Sequence, residues 1–289
     1  MSTILVTGAS TGIGQEAALH MARKGNQVYA AVRNPDGVDD LRKAIAAESL
    51  PVTVVQMDIT QPESIDSAIA QIMAETGSID ALVNNAGVGA GQAVEMTSME
   101  DVRWIFETNY FGTVNVLRAV TPIMRKQGSG RIVNVGSLAG RVPMGCHAHY
   151  SASKFAMEGL SESLAFEMAE FNVKVSIIEP GCVLTPIWGK AEPMDESIEQ
   201  PYMNTLMRLG RWFEFNLGRP AMPADVATAI EDAIDSDTPR FRYPVGADAE
   251  EMIAARAKVS DEEWIKANCL QGEAHDDRML ELVGKDYYR

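Results

Sequence analysis

Cysteine is scarce in this chain: Cys146, Cys182 and Cys269 are the only three in 289 residues. They are too few and too scattered for a disulfide framework or a zinc ribbon, so reduced thiols and a cytoplasmic setting are expected. Positive charge is also short, with 25 Lys and Arg against 40 Asp and Glu and a formal net charge of -15. That deficit argues against nucleic acid or an anionic membrane surface as partner, because both attract basic patches. A small-molecule substrate is the expected partner instead. No run of eighteen apolar residues occurs, so no membrane span is implied. The first apolar strand begins within a few residues of Met1, which leaves no room for a signal peptide ahead of it. None of the four histidines has metal-site spacing. His147 and His149 are two apart beside Tyr150, and suit a substrate mouth or the surface better than a zinc ion, so no metal is expected.

What is present is 46% apolar residues, enough to bury a substantial core as one domain with embellishments. The stretch around which the rest is organised runs from Ser137 to Lys154. Tyr150 and Lys154 are four residues apart, so if the segment opens a helix they present a phenol and an ammonium on one face. A phenol ionises near pH 10 in water and needs a nearby positive charge to exchange protons at neutrality, which Lys154 can supply. Ser137 follows the apolar run Ile132-Val133-Asn134-Val135, at the carboxyl-end edge where open parallel sheets place ligands. A hydroxyl there can hold a substrate oxygen beside the tyrosine.

The amino terminus gives this pair its context. Thr3 to Val6 is an apolar run leading into Thr7-Gly8-Ala9-Ser10-Thr11-Gly12-Ile13-Gly14, and Glu16 to Arg23 then reads as a helix ending at Gly25. Strand, glycine turn and helix together form a dinucleotide-binding signal. Gly8 permits the tight turn, Gly12 lets backbone amides approach a pyrophosphate, Gly14 lets the helix pack on the strand, and the helix amino terminus receives the phosphate charge. The second strand, Gln27 to Val32, ends in Arg33. In such folds an acidic residue here binds the ribose 2′-hydroxyl, whereas an arginine accommodates a 2′-phosphate, so Arg33 favours NADP(H), with Ser10 and Thr11 as further donors. A solvated surface charge is the competing reading of Arg33.

The set Thr7-Gly8-x-x-x-Gly12-x-Gly14, Asn84-Asn85-Ala86-Gly87, Asn109, Ser137 and Tyr150-x-x-x-Lys154, in that order, resembles the classical short-chain dehydrogenase/reductase family from Met1 to about Val245. The resemblance implies a single Rossmann-type, doubly wound α/β domain over residues 1–246, with a central parallel sheet of about seven strands. It also implies an NADP-dependent oxidoreductase acting on CH–OH groups, and a homodimer or homotetramer joined through the helices around Asn109 and after Tyr150. Asn109, Ser137, Tyr150 and Lys154 become a catalytic tetrad, in which Asn109 kinks its helix and holds a water linking Lys154 to solvent. Gly8, Ser10, Thr11, Gly12, Ile13, Gly14 and Arg33 take the cofactor's phosphates. Asp58 and Ile59 take the adenine, although Asp58 can equally cap a turn before Pro62. Asn85, Ala86 and Gly87 pass under the adenosine ribose. Pro180, Gly181, Val183 and Thr185 hold the nicotinamide carboxamide, and Lys154 with Tyr150 holds its ribose. Cys182 lies in that segment, and nothing beside it in sequence lowers its thiol pKa.

Residues 186–222 change in composition, with Trp188, Met194, Tyr202, Met203, Leu206, Met207, Leu209, Trp212, Phe213 and Phe215 set among Gly and Pro breaks. By resemblance this is the variable substrate lid, and adaptable Met and aromatic contacts suit a bulky apolar ketone or alcohol. The same residues could instead pack as a hydrophobic cover. Members acting on 17β-hydroxysteroids and retinol look most similar. A 3-oxoacyl carrier-protein reductase shares the tetrad but would present an acidic carrier to an acidic chain. A non-catalytic NADP-binding regulator is the remaining alternative. Residues 247–289 form an acidic extension with helical spacing at Met252, Ala255 and Val259 and an apolar point at Trp264-Ile265; lid, interface arm and solvated appendage all stay open.

Overall fold

The computed structural model describes residues 1–89, 91–186 and 201–288. Seven parallel strands form one sheet in the order β3-β2-β1-β4-β5-β6-β7. They are β1 Thr3–Thr7, β2 Gln27–Val32, β3 Val52–Gln56, β4 Ala81–Asn84, β5 Gly130–Val135, β6 Val173–Pro180 and β7 Arg242–Val245. The order reverses between β1 and β4, which pair directly through Ile4 and Ala81, Leu5 and Leu82, and Val6 and Val83. The loops leaving their carboxyl ends therefore diverge and open a crevice, the place where doubly wound sheets receive ligands.

Both faces of the sheet are covered, which is why its central strands read as continuous apolar runs rather than alternating ones. Ile4 and Val6 join one buried cluster with Ala17, Ala18 and Met21 of helix α1 (Gly12–Arg23) and Val226 and Ile230 of helix α8 (Pro223–Asp235). Leu5, between them, points to the other face. There it packs with Ile65, Ile69 and Ile72 of α3 (Pro62–Thr76) and Val116, Val120 and Met124 of α5 (Thr113–Gln127). Helix α2 (Asp39–Glu48) flanks the β2–β3 connection.

The amphipathic stretch from Asp101 to Arg125 is helical but not uniformly so. Helix α4 (Met99–Phe106) passes into a π-helical turn, Glu107–Gly112, before α5 begins. Wide turns of this kind concentrate at functional sites, and Asn109 lies within this one. The helix bearing Tyr150 and Lys154 is α6, Ala148–Ala169. Helix α1 starts at Gly12, four residues before its sequence-based start at Glu16, because the glycines that discourage helix in a propensity reading form its first turn.

The acidic extension is folded. Helices α9 (Ala247–Arg256), α10 (Asp261–Cys269) and α11 (Gly272–Val283) follow β7, and α7 (Met203–Leu217) precedes α8. A third buried cluster gathers Leu138, Val142 and Cys182 from the strand ends, Trp212 from α7, and Ala249, Met252, Trp264, Ala267, Met279, Tyr287 and Tyr288 from the extension. Arg208 of α7 donates to the carbonyls of Asn268 (3.1 Å) and Leu270 (3.0 Å), and Arg219 pairs with Glu251 at 2.7 Å. Of the readings left open for this segment, a solvated appendage is excluded by that burial. Ile265, by contrast, faces solvent.

Candidate active site

Two turns meet at the crevice. After β1 the chain turns at Gly8, whose φ of +65° is left-handed, and a Cβ there would lie 2.7 Å from Cα of Ala86. Glycine is thus required twice over, by conformation and by contact. The Thr7 hydroxyl accepts from the N–H groups of Asn85 (3.0 Å) and Ala86 (3.2 Å), and the Asn85 amide donates to the carbonyls of Thr7 and Gly8. A Cβ on Gly14 would fall 2.3 Å from that Asn85 amide nitrogen and 2.4 Å from the Gly8 carbonyl oxygen. The space that Gly14 leaves is therefore filled by the two turns, and α1 is seated on them rather than on the strand alone. Asn85 is a clamp between β1 and β4.

The first turn of α1 has no side-chain cap among the described residues, and Thr11 before it is extended and exposed. The N–H groups of Gly12, Ile13 and Gly14 thus face the crevice end of the helix dipole, a fit for a pyrophosphate. Ser10 stands half-buried beside them. Arg33 is exposed at the end of β2, and among the described residues its guanidinium makes no hydrogen bond or ion pair. Asp58 is divided between its two expected uses. One carboxylate oxygen accepts from the Thr60 N–H (3.0 Å) and hydroxyl (2.8 Å), the turn-capping role, while the other oxygen is uncommitted to that turn. Ile59 is buried beside it.

The four tetrad residues come together across three elements. Asn109 is buried; its Oδ1 accepts from the Val88 N–H (2.8 Å) and its Nδ2 donates to the Val88 carbonyl (2.9 Å) and the Ser153 hydroxyl (3.0 Å). The polar amide on an apolar helix face is thus fully partnered, as burial demands. Ser153 in turn donates to the Tyr150 carbonyl at 2.7 Å, so Asn109 braces the turn of α6 that carries Tyr150. Lys154 is buried, donates to the Val135 carbonyl at 3.1 Å, and has its Nζ 5.7 Å from the centre of the Tyr150 ring. A Cβ on Gly87 would meet Asn109 Oδ1 at 3.3 Å and Lys154 Nζ at 3.7 Å, which brings the third turn residue to the same place. Ser137 accepts from the Ala139 N–H at 3.1 Å, and its hydroxyl works against burial in setting the Tyr150 pKa.

Burial governs the proton affinities. It raises the Tyr150 pKa, opposed by the Ser137 hydroxyl, and lowers that of Lys154 to about 8, opposed by the carboxylate of Glu158. Near pH 7 the pair is therefore a neutral phenol beside a still-charged ammonium, the form in which a phenol can donate a proton.

Further side chains line the site or lie behind it. His147 stacks on the Tyr150 ring with centroids 4.6 Å apart and meets Phe213 of α7 edge-on at 6.0 Å. Its Nδ1 is buried without a partner among the described residues, and burial lowers its pKa to about 4, so it is a neutral imidazole in the wall of the site. Behind Lys154, Glu158 and Glu179 lie in the interior, held by Arg242 (3.0 Å to Glu158) and Arg141 (2.8 Å to Glu179). Burial, then the adjoining Glu179, pushes Glu158 up to about 7. Glu158 is visible in the sequence only as one more helical position after Lys154, and no short spacing links it to Arg242. Of the candidate lid residues, Trp188 and Met194 lie outside the described residues. Trp212 is buried and Phe213 half-buried, whereas Tyr202 and Met207 are exposed. The Cys182 thiol is pushed up by burial and then by Asp248, so it is inert.

The family model described as short chain dehydrogenase matches residues 2–196. Among curated relatives, a 3-ketodihydrosphingosine reductase of Bacteroides thetaiotaomicron is 33% identical over 93% of this chain and 94% of its own length. A retinol dehydrogenase 8 of Bos taurus is 35% identical over 88% of this chain and 85% of its own. Among solved structures, a short-chain dehydrogenase from Streptomyces avermitilis superposes with a TM-score of 0.78 at 33% identity, covering 92% of this chain and 97% of that one. A single-residue variant of an actinorhodin polyketide ketoreductase, with NADPH, gives 0.75 at 27% identity, covering 86% and 97%.

Proposed function

Because this chain belongs to the short-chain dehydrogenase family and is an oxidoreductase, we propose that it interconverts a bulky apolar ketone or aldehyde with the corresponding alcohol, using NADP(H) and Tyr150 as the general acid and base. The convergence of Ser137, Tyr150, Lys154 and Asn109 on one point beside the two glycine-bearing turns carries this reading. In the reductive direction the substrate carbonyl oxygen accepts hydrogen bonds from the Ser137 and Tyr150 hydroxyls, and Tyr150 passes its proton to that oxygen as the alcohol forms. Bound NADPH, held by these turns, would supply the hydride. Lys154 stays charged near neutrality and offsets the negative charge left on the phenol oxygen. Ser137 orients the oxygen, and Asn109 fixes the Tyr150 turn through Ser153.

Arg33, with Ser10 and Thr11, supports the preference for a 2′-phosphate, and the first-turn amides of α1 would take the pyrophosphate. Pro180, Gly181, Val183 and Thr185 would hold the nicotinamide, and Asp58 and Ile59 the adenine. The substrate class rests on Phe213, which meets His147 beside Tyr150, and on relatives named for retinol and 3-ketodihydrosphingosine. A homo-oligomer is part of the same proposal, since Trp104, Phe111, Phe155 and Phe166 are exposed on the helices around Asn109 and after Tyr150. No described helix is long and apolar enough to cross a membrane.

The deciding experiment follows loss of NADPH and NADH absorbance against steroid, retinoid, long-chain 3-keto, aryl and acyl ketones. NADPH-dependent turnover of the long apolar members is the expected result. A preference for NADH removes the Arg33 argument. Turnover confined to 3-oxoacyl thioesters makes the chain an acyl reductase instead. Cofactor binding with no turnover of any ketone leaves a nucleotide-binding regulator.

A further inference from the structure

Asp248 stands in the first turn of helix α9 in the extension, yet it is buried, and its carboxylate is aimed back into the end of β6. The Cys182 N–H donates to its Oδ2 at 2.6 Å. A Cβ on Gly181 would lie 2.0 Å from Asp248 Oδ1 and 2.3 Å from Oδ2. Gly181 is absent from the chain's positive-φ glycines, so glycine is needed there for space and not for conformation. What occupies the space is Asp248. On the other side, a Cβ on Gly246 would meet the same Oδ1 at 2.8 Å.

The segment so held is the one proposed to carry the nicotinamide. Gly181 donates to the Val245 carbonyl at 2.9 Å, Ala221 donates to the Cys182 carbonyl at 3.0 Å, and Leu184 donates to the Ala221 carbonyl at 2.9 Å. It ends with Thr185 against the glycine turn, where a Cβ on Gly12 would stand 3.3 Å from the Thr185 side chain. The backbone from Gly181 to Thr185 is therefore strung between Asp248 at one end and the pyrophosphate turn at the other.

We infer that Asp248 is a positioning residue for the nicotinamide half of the cofactor: its carboxylate sets the course of the Gly181–Thr185 backbone, and Gly181 is glycine to admit it. The inference deepens the proposed function and rests on its cofactor reading. The carboxylate is costly to bury, since desolvation raises its pKa, and the N–H groups of Cys182, Ala249 and Asp248 itself offset that cost. It touches neither substrate nor the reacting atoms, and acts through the loop alone.

The test is a fluorescence titration of the full chain with NADPH and NADH, and with adenosine 2′,5′-bisphosphate and ADP as their adenosine halves. In Asp248→Ala the dissociation constant for the preferred dinucleotide rises about tenfold or more, while that for its adenosine half is unchanged. Asp248→Asn, which keeps an acceptor for the Cys182 N–H, falls between. Gly181→Ala weakens dinucleotide binding in the wild-type background and adds nothing in the Asp248→Ala background, the non-additivity expected of two groups in contact. Equal loss of both ligands in Asp248→Ala, or wild-type affinity for the dinucleotide, overturns the inference. A wild-type chain that binds neither dinucleotide overturns the cofactor reading instead.

Discussion

The amino-terminal half and the carboxyl-terminal third of this molecule are held by different means. Around β1 and β4, the structure is made by backbone: Gly8 in a left-handed turn, Gly14 against two turns, and Asn85 and Thr7 tying main chain to main chain. From α7 onward it is made by side chains distant in sequence, with Trp212, Trp264, Met279 and Tyr287 sharing one cluster, and Arg208 of α7 and Arg219 just beyond it both bonded to the extension. Backbone constraints tolerate almost no substitution at a few places. Side-chain packing spreads its demands over many positions, each replaceable by something of similar volume. The Tyr150–Lys154 pair stands at the seam, with Lys154 bonded to the end of β5 and Tyr150 stacked on His147, which meets α7 through Phe213.

The largest effect is expected at that seam. Tyr150→Phe removes the proton donor and lowers kcat for ketone reduction by about 10²–10⁴-fold, with NADPH affinity kept; steady-state kinetics beside a binding titration checks this, and unchanged turnover would remove Tyr150 from the mechanism. Trp212→Ala, on the packed side, empties the centre of the third cluster and destabilises the chain by about 3–5 kcal/mol. Its thermal unfolding should show α7 and the extension loosening together, and a drop confined to α7 would break the account of the extension as part of one core. On the backbone side, Arg33→Ala leaves the fold alone and takes about 10–100-fold from NADPH affinity while sparing NADH, the loss of one charge-assisted phosphate contact; parallel titrations with the two cofactors read it.

The smallest effect concerns pH. Lys154 titrates at about 8 because burial lowers it, and a nearby Glu158 carboxylate lifts it against that trend. If the ammonium is the active form, kcat/KM for reduction is flat near neutrality and falls as pH rises through about 8. Glu158 itself is raised to about 7, so it is ionised in the range where the fall occurs, and Glu158→Gln takes away a charge that favours the ammonium. The alkaline limb of the profile should then move to lower pH. A limb that stays put would mean that Glu158 and its partner Arg242 serve packing only.

How much of this was legible follows the same division. The turn residues Gly8, Gly12 and Gly14, the Asn84–Gly87 turn and the Tyr150–Lys154 pair stand at fixed short spacings set by one turn or one helical repeat, and the family resemblance they carry implied the seven-stranded doubly wound domain. The start of α1 was misplaced because glycine is a poor helix former in isolation, although here the tertiary contacts of Gly14 favour it. The extension could not be assigned, since its helical spacing at Met252, Ala255 and Val259 says that one face is apolar without saying what lies opposite. Glu158 and Asp248 carry no motif, because their significance comes from partners on other elements.

The sequence by itself determined the glycine turns and the alignment of a phenol with an amine one helical turn away, since short-range sterics and periodicity act between near neighbours and need no further information; the sheet it indicated only through its likeness to a known family. Only the tertiary structure decided that an aspartate beyond the last strand would fill the missing Cβ of Gly181, and that burial would leave Tyr150 protonated while Lys154 kept its charge. Desolvation and close contact depend on everything that surrounds a group, and most of what surrounds these groups arrives from far along the chain.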